Sequence, residues 1–496
     1  MQGVGRCLTP GPPLATFLFL LLFFQAMSED VTPRPNEIGT PAGAQSGSTR
    51  SVRATPPAGH APMLSTAEAL RILLAAAGTS PGDGGNGAYG KASYAGYSEA
   101  ETVSTEAALG RVLAADIISP IDVPPMDVSA MDGYAVRLAE LAVHIGAAAG
   151  DHADVTPLGQ PFPVSQRIPA GAAPGPLAPA SVARIFTGAP VPEHADLVVI
   201  QEEAKVDANG VRFVLDGPPR AGQWINRRGA DIRAGAVILP RGTRLTPQAL
   251  GLAASVGVGA LPVVPRLKVA ILFTGDELRR PGDALEPGAI YNSNRYTLGG
   301  LLQALGCDVT DFGIVADRLD ATRAVLRDAA SSHDLVLASG GVSVGEEDHV
   351  KAAVEAEGAL SLWKIAMKPG KPLAFGSLRT PGAGSTFFIG LPGNPVSTFV
   401  TFLLFVRPFI LRLQGVSDVT PKALQARADF AVKGDRRNEF LRVRLNAGGG
   451  LDLYPTQSSA VLTSTVWGDG LVDNPPGRDI APGDPVRYLP FSDLLF

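Results

Sequence analysis

Acidic side chains of this chain gather in short glycine- and proline-rich segments: Asp276 and Glu277 in TGDEL, Asp317 in ADRLD, and Glu346 and Asp348 beside Ser343 in SGGVSVGEED. A fourth segment, LPGNPVS, adds Asn394 between Pro392 and Pro395, and WKIAMKPGKPLAF supplies Lys364, Lys368 and Lys371. Such carboxylates suit Mg2+, which takes one or two acidic side chains and completes its shell with water and phosphate oxygens. Lysines suit the phosphate charge itself. The glycines of SGGVSVGEED let backbone amides approach an anion, and the helix start that follows adds the positive end of its dipole. The segment is not a P-loop, because no Gly-Lys-Ser/Thr follows. Taken singly, each residue is equally an ordinary cap, turn or solvated loop residue. Together they point to a phosphorylated substrate handled with a divalent cation. The six histidines lie in no motif, and nothing resembles a Ser-His-Asp arrangement.

Segments so far apart need a scaffold that brings them to one rim. Over 266–414, strands are expected at LKVAILF, TDFGIV, DLVLAS and TFFIGL, and helices at NRYTLGGLLQALG, DATRAVLRDAASS, DHVKAAVEAEG and NPVSTFVTFLLFVRPFILRL. This is the βαβ rhythm of an α/β domain with a doubly wound parallel sheet, where ligands bind outside the carboxyl ends of the strands. Each polar segment follows a predicted strand. WKIAMKPGKPLAF reads as a fixed loop. Elsewhere, STAEALRILLAAAG predicts a helix from near Ser65, and TVSTEAALGRVLAADI a second one. Runs such as SVARIFTG and DLVVIQEEAKV predict a small β domain, and EFLRVRL and DLYPTQ a small terminal β-barrel. The expected division is 1–62 as a lead-in, 63–136 with 231–265 as an extended linker domain, 137–230 as an inserted β domain, 266–414 as the α/β domain and 415–496 as the barrel.

A chain of 496 residues exceeds one core, as a multidomain enzyme would. The formal charge of −5, without a long basic run, speaks against nucleic acid and an anionic membrane as partners. Two cysteines, Cys7 and Cys307, build neither a disulfide framework nor a cysteine metal site. The apolar run from Leu14 to Phe24 has the outline of a signal sequence but is too short to span a bilayer. With FQAM a poor cleavage site and Met27 an alternative start, a cytoplasmic protein with a misplaced start or an extension is expected over export. Residues 28–62 read as a disordered lead-in and 79–98 as a surface insertion.

Seven motifs in order, SAMDGYA, RIFTGAPVP, INRRGADI, TGDEL, SGGVSVGEED, KPGKP and LPGNPVS, cover roughly 64–490 and resemble the molybdopterin molybdenumtransferase family, MoeA and the E domain of gephyrin-type proteins. The resemblance implies a MogA-like molybdopterin-binding domain in an elongated homodimer. Its activity would be insertion of molybdate into adenylylated molybdopterin with Mg2+-dependent release of AMP. The active site would lie between the sheet domain of one subunit and the second domain of its partner. Matched residue by residue, Asp132, Thr187, Asp231, Glu277, Asp317 and Asp348 would line the cleft, with Asp276 and Glu277 as metal ligands. Lys364 and Lys368 would hold molybdate or phosphate, Pro392 and Pro395 would shape the PGNP turn that faces the pterin, and Ser343, Lys371 and Asn394 would also bind substrate. Arg437 and Ser458 resemble positions near molybdate. An upstream adenylyltransferase and recipient molybdoenzymes are the implied partners. Two departures stand out: Ala230 where an acidic residue is common, and Ala460 where glycine is usual. Adenylyl transfer to molybdopterin and a non-catalytic dimeric scaffold are the alternatives. The extra domains argue against the first, and the retained acids and lysines against the second.

Overall fold

A computed structural model describes residues 63–78, 100–145, 160–341, 349–381 and 384–495. The apolar run, the lead-in, the 79–98 insertion, and Ser343, Glu346 and Asp348 lie outside the described residues.

The central sheet has six strands in the order Asp308–Val315, Lys268–Thr274, Leu335–Ser339, Ser385–Leu391, Pro372–Arg379 and Gly358–Lys364. The first four run parallel and are the four expected from the sequence. Their side chains alternate between faces. Val269, Ile271 and Phe273 join one core with Leu298, Leu302 and the long helical segment Pro395–Leu413. Ala270 and Leu272 join the opposite core with Leu326, Ala329, Val350 and Ala353. Pro395–Leu413 is apolar enough to cross a membrane, but 89% of its most apolar window is buried inside the protein, as a core helix requires. Its wide π turn, Phe402–Val406, precedes Pro408, which can neither donate to the preceding turn nor tolerate its carbonyl.

The last two strands correct one expectation. WKIAMKPGKPLAF is not simply a loop: its ends lie in Gly358–Lys364 and Pro372–Arg379, which pair antiparallel with Lys364 opposite Pro372. Because Pro372–Arg379 also runs antiparallel to Ser385–Leu391, the turn at 365–371 falls on the carboxyl rim of the parallel strands. Hairpin reversal therefore delivers the lysines to the rim.

The helix from Thr66 to Ala76 starts where expected, with the Ser65 side chain accepting from Glu68 N at 3.1 Å. The second expected helix is absent. Glu101–Ser104 is a strand paired with Ala260–Val263, and Thr105–Ala107 makes a single 3₁₀ turn before Gly110 takes a φ of 74°. A distant partner strand outweighs the local helical pattern. The inserted domain starts earlier than residue 137: its four-stranded sheet runs Val164–Ile168, Val182–Ile185, Gly133–Val136, Leu197–Ile200, so the segment around Asp132 and Gly133 packs with it and not with the linker.

At the C-terminal end, strands Leu424–Ala428, Asn438–Leu445, Gly450–Leu453, Gly470–Asn474 and Pro485–Pro490 close into a barrel through the pairing of Asn438–Leu445 with Gly470–Asn474. Only Asp452 and Leu453 of DLYPTQ are in a strand; Tyr454 and Gln457 stay bonded to Arg442 of the barrel without forming one. The two-residue strand Met367–Lys368 pairs with Asn438 and Glu439, joining the sheet's rim to the barrel.

Gly133 is required by this packing. A Cβ there would stand 2.0 Å from Val199 O and 2.9 Å from Val199 C, both backbone atoms of the neighbouring strand. Gly133→Ala must part the two strands and should cost on the order of 2 kcal/mol or more. The expected result is a lower first thermal unfolding midpoint, read by circular dichroism, with the adjacent Asp132 displaced.

Candidate functional site

A cleft of about 1090 Å³ opens at the carboxyl rim, walled on one side by the strand ends and on the other by the barrel. Glycines shape the sheet wall. Gly275, at φ 141°, leaves room for the Glu277 carboxylate, whose Oε2 would lie 2.5 Å from a Cβ there. Gly340, at φ 95°, passes over Thr274, where a Cβ would meet Thr274 O at 2.4 Å. Glu277 and Asp317 both line this wall, as the sequence led one to expect.

The PGNP turn closes the floor. Asn294, 8% exposed, donates from Nδ2 to Ser339 Oγ at 2.9 Å, to Gly393 O at 2.8 Å and to Thr398 Oγ1 at 3.2 Å. Thr398 Oγ1 in turn donates to Pro392 O at 2.5 Å. Pro395 starts the helix, where its missing N–H costs nothing. Pro392, Asn394 and Pro395 all line the cleft. Asn294 was not anticipated. Its only sequence signal was a polar side chain in the first turn of the helix after TGDEL.

The barrel side carries the cations. Lys368 Nζ donates to Glu439 Oε1 at 3.0 Å and lies 3.6 Å from Asp435 Oδ2. Arg437 grips Asp435 through Nε at 3.1 Å and Nη2 at 3.0 Å. Hydrogen bonds from the Arg437 side chain hold the Asp435 carboxyl well below the usual carboxylate range, with burial working against them. Asp435 and Glu439 were also unanticipated, although GDRRNE announces a dense charge cluster. Lys371, from the turn on the sheet's rim, and Ser458 line the cleft as well. Ala460, the departure from glycine, lines it too and donates from its backbone N to Ser458 Oγ at 3.3 Å. The cleft thus gathers two carboxylates from the strand ends with cations from the 365–371 turn and the barrel, of which Lys368 and Arg437 are partly neutralised by their own acids.

Among the described residues, five of the predicted ones lie outside the cleft's lining. Asp276 is exposed, its carbonyl accepting from Arg279 Nη1 at 2.7 Å, and Lys364 ends the edge strand, its carbonyl accepting from Leu64 N at 2.9 Å. Asp132, Thr187 and Asp231 sit elsewhere in the chain. Asp132 Oδ1 accepts from Thr187 N at 2.8 Å and from Thr187 Oγ1 at 2.9 Å. These bonds, the backbone one foremost, lower the Asp132 pKa, and the nearby Arg184 guanidinium adds to the effect. Asp132 is therefore an ionised acceptor at neutral pH. Asp231 is exposed, its backbone N donating to Val123 O at 3.0 Å. Among the described residues no group of three or more His, Cys, Asp and Glu could hold a metal ion. Burial pushes the Cys307 thiol up to about 12, so it is a core residue and not a nucleophile.

Comparison with known proteins places this architecture. Residues 64–257 match the MoeA N-terminal region (domain I and II), 270–412 a probable molybdopterin binding domain and 425–491 the MoeA C-terminal region (domain IV). A molybdopterin molybdenumtransferase of Haemophilus influenzae is 42% identical over 405 residues, which cover 80% of this chain and 95% of that protein. One of Bacillus subtilis is 35% identical over 348 residues, covering 69% of this chain and 77% of the relative. The crystal structure of the MoeA molybdopterin biosynthesis protein of Pyrococcus horikoshii superposes with a TM-score of 0.65 at 30% identity, covering 87% of this chain and 99% of that one. With its three regions matched in order and near full-length relatives at this identity, the chain belongs to the MoeA family of molybdopterin molybdenumtransferases.

Proposed function

We propose that the protein is a molybdopterin molybdenumtransferase, which completes the molybdenum cofactor by inserting molybdate into adenylylated molybdopterin and releasing AMP. The observation that carries this reading is the cleft itself, which Glu277 and Asp317 line together with Lys368, Lys371, Arg437 and Ser458. Molybdate is a tetrahedral dianion, and the cationic wall offers it charge-assisted donors. Because Lys368 and Arg437 already hold acids at 3.0 Å each, they are oriented before the anion arrives. The strand-end glycines let the backbone approach the substrate's phosphates.

Glu277 on the cleft wall fits one or two carboxylates plus phosphate oxygens, the set Mg2+ ordinarily takes. When bound there, the ion would neutralise charge on the cleaved phosphate linkage. Each molybdate oxygen that leaves as water takes up two protons, the number that two dithiolene thiols release. An ionised Asp132, steadied by Thr187, is suited to accept such a proton and pass it on, and not to start as the acid.

Asp132, Thr187 and Asp231 do not line this chain's own cleft, which supports a homodimer whose subunits complete each other's sites. In this reading the enzyme works in the cytoplasm, takes its substrate from an adenylyltransferase and passes cofactor to molybdoenzymes.

The test is AMP release from adenylylated molybdopterin with Mg2+, with and without molybdate, coupled to activation of an apo-molybdoenzyme. Release that depends on molybdate and yields active cofactor is expected; a folded dimer that releases no AMP would sink the reading. Asp132→Asn and Glu277→Gln, both near-isosteric, should keep the fold and each lower turnover by about 100-fold or more. Mixed in equal amounts and allowed to exchange subunits, the two variants should regain about one quarter of wild-type activity, because half the dimers then hold one intact shared site. No recovery would place both residues in one subunit's site.

A further inference from the structure

Arg442, in the barrel strand Asn438–Leu445, is 1% exposed and has no carboxylate partner among the described residues. Its three acceptors are neutral: Nε donates to Ser464 Oγ at 3.2 Å, Nη1 to Phe440 O at 3.3 Å and Nη2 to Ser458 O at 3.2 Å. Burial brings its pKa down to about 10, which leaves it charged at neutral pH. A buried charge without a counter-ion is costly, and chains retain one where it serves a purpose.

What Arg442 touches is the wall of the cleft. Gln457, Ser458, Ser459 and Ala460 line it from an irregular segment with no ladder of its own. Arg442 holds that segment twice. Its guanidinium takes the Ser458 carbonyl, and its backbone N donates to Gln457 Oε1 at 2.9 Å while Gln457 Nε2 returns a bond to Arg442 O at 3.2 Å. The far side of the segment is tied to the sheet domain, where Val396 N donates to Ser459 O at 3.0 Å.

We propose that Arg442 is a positioning residue for the oxyanion: it fixes the 457–460 segment against the cleft and provides, behind that wall, the uncompensated positive charge that a bound dianion neutralises. This rests on molybdate being the anion of the cleft. Arg442 itself need not touch molybdate, because Ser458 and Arg437 occupy the surface in front of it.

Calorimetric titration of the full chain with molybdate, and with tungstate as a second tetrahedral dianion, separates the two layers. Wild type that binds neither overturns the reading of the cleft. If wild type binds, Arg442→Gln, shown to fold by circular dichroism, should bind about tenfold more weakly, and Arg442→Lys, which keeps the charge but not the fork, should fall between. In turnover, Arg442→Gln should raise the KM for molybdate and leave the KM for adenylylated molybdopterin unchanged. Unaltered anion affinity, or both KM values rising together, overturns the role. Should Arg442→Gln not fold, Ser464→Ala removes only the Nε partner and should weaken molybdate binding by about threefold; wild-type affinity in Ser464→Ala overturns the proposal equally.

Discussion

The site depends on a short tie between two domains. Met367 and Lys368 leave the sheet's rim for two residues and pair with Asn438 and Glu439 of the barrel. Glu439 is 3% exposed, and a carboxylate taken so far out of water needs a cation. Lys368 supplies it, and Asp435 with Arg437 extends the pair into a four-residue network. The shared apolar core and the bond from Val396 N to Ser459 O hold the barrel against the sheet as well. The strand ends thereby become one wall of a cleft, and the lysine that joins the domains also lines it.

The opposite wall is shaped by what is missing from side chains. Gly275 and Gly340 stand where the chain turns out of neighbouring parallel strands, at backbone angles that other residues rarely adopt. Their absent Cβ atoms leave room for the Glu277 carboxylate beside Gly275 and let Gly340 pass close over Thr274. Asn294 then converts the PGNP turn from a flexible link into a fixed floor by donating to three acceptors from two segments.

The inserted domain shows a different economy. Asp132 is held by the backbone and hydroxyl of one residue, Thr187, and the same strand pair that excludes a side chain at Gly133 sets its direction. Its hydrogen bonds favour the ionised form, so the same contacts decide both where the carboxylate points and what it can do.

Local pattern determined much of this protein. Apolar runs placed the four parallel strands, a Ser65 cap placed the first helix, and Glu277, Asp317 and Asn394 could be assigned to one rim because strand ends converge in a parallel sheet. Tertiary structure alone decided the rest. Glu101–Ser104 is a strand because its partner lies at 260–263, and no window around TVSTEAALG contains that information. The turn at 365–371 reaches the rim only because the strand after it reverses against Ser385–Leu391. Asp435, Glu439 and Arg442 matter only once the barrel has closed and packed on the sheet. Hydrophobic periodicity is a property of neighbours along the chain, whereas burial of a charge, and hence its need for a partner, is a property of neighbours in space.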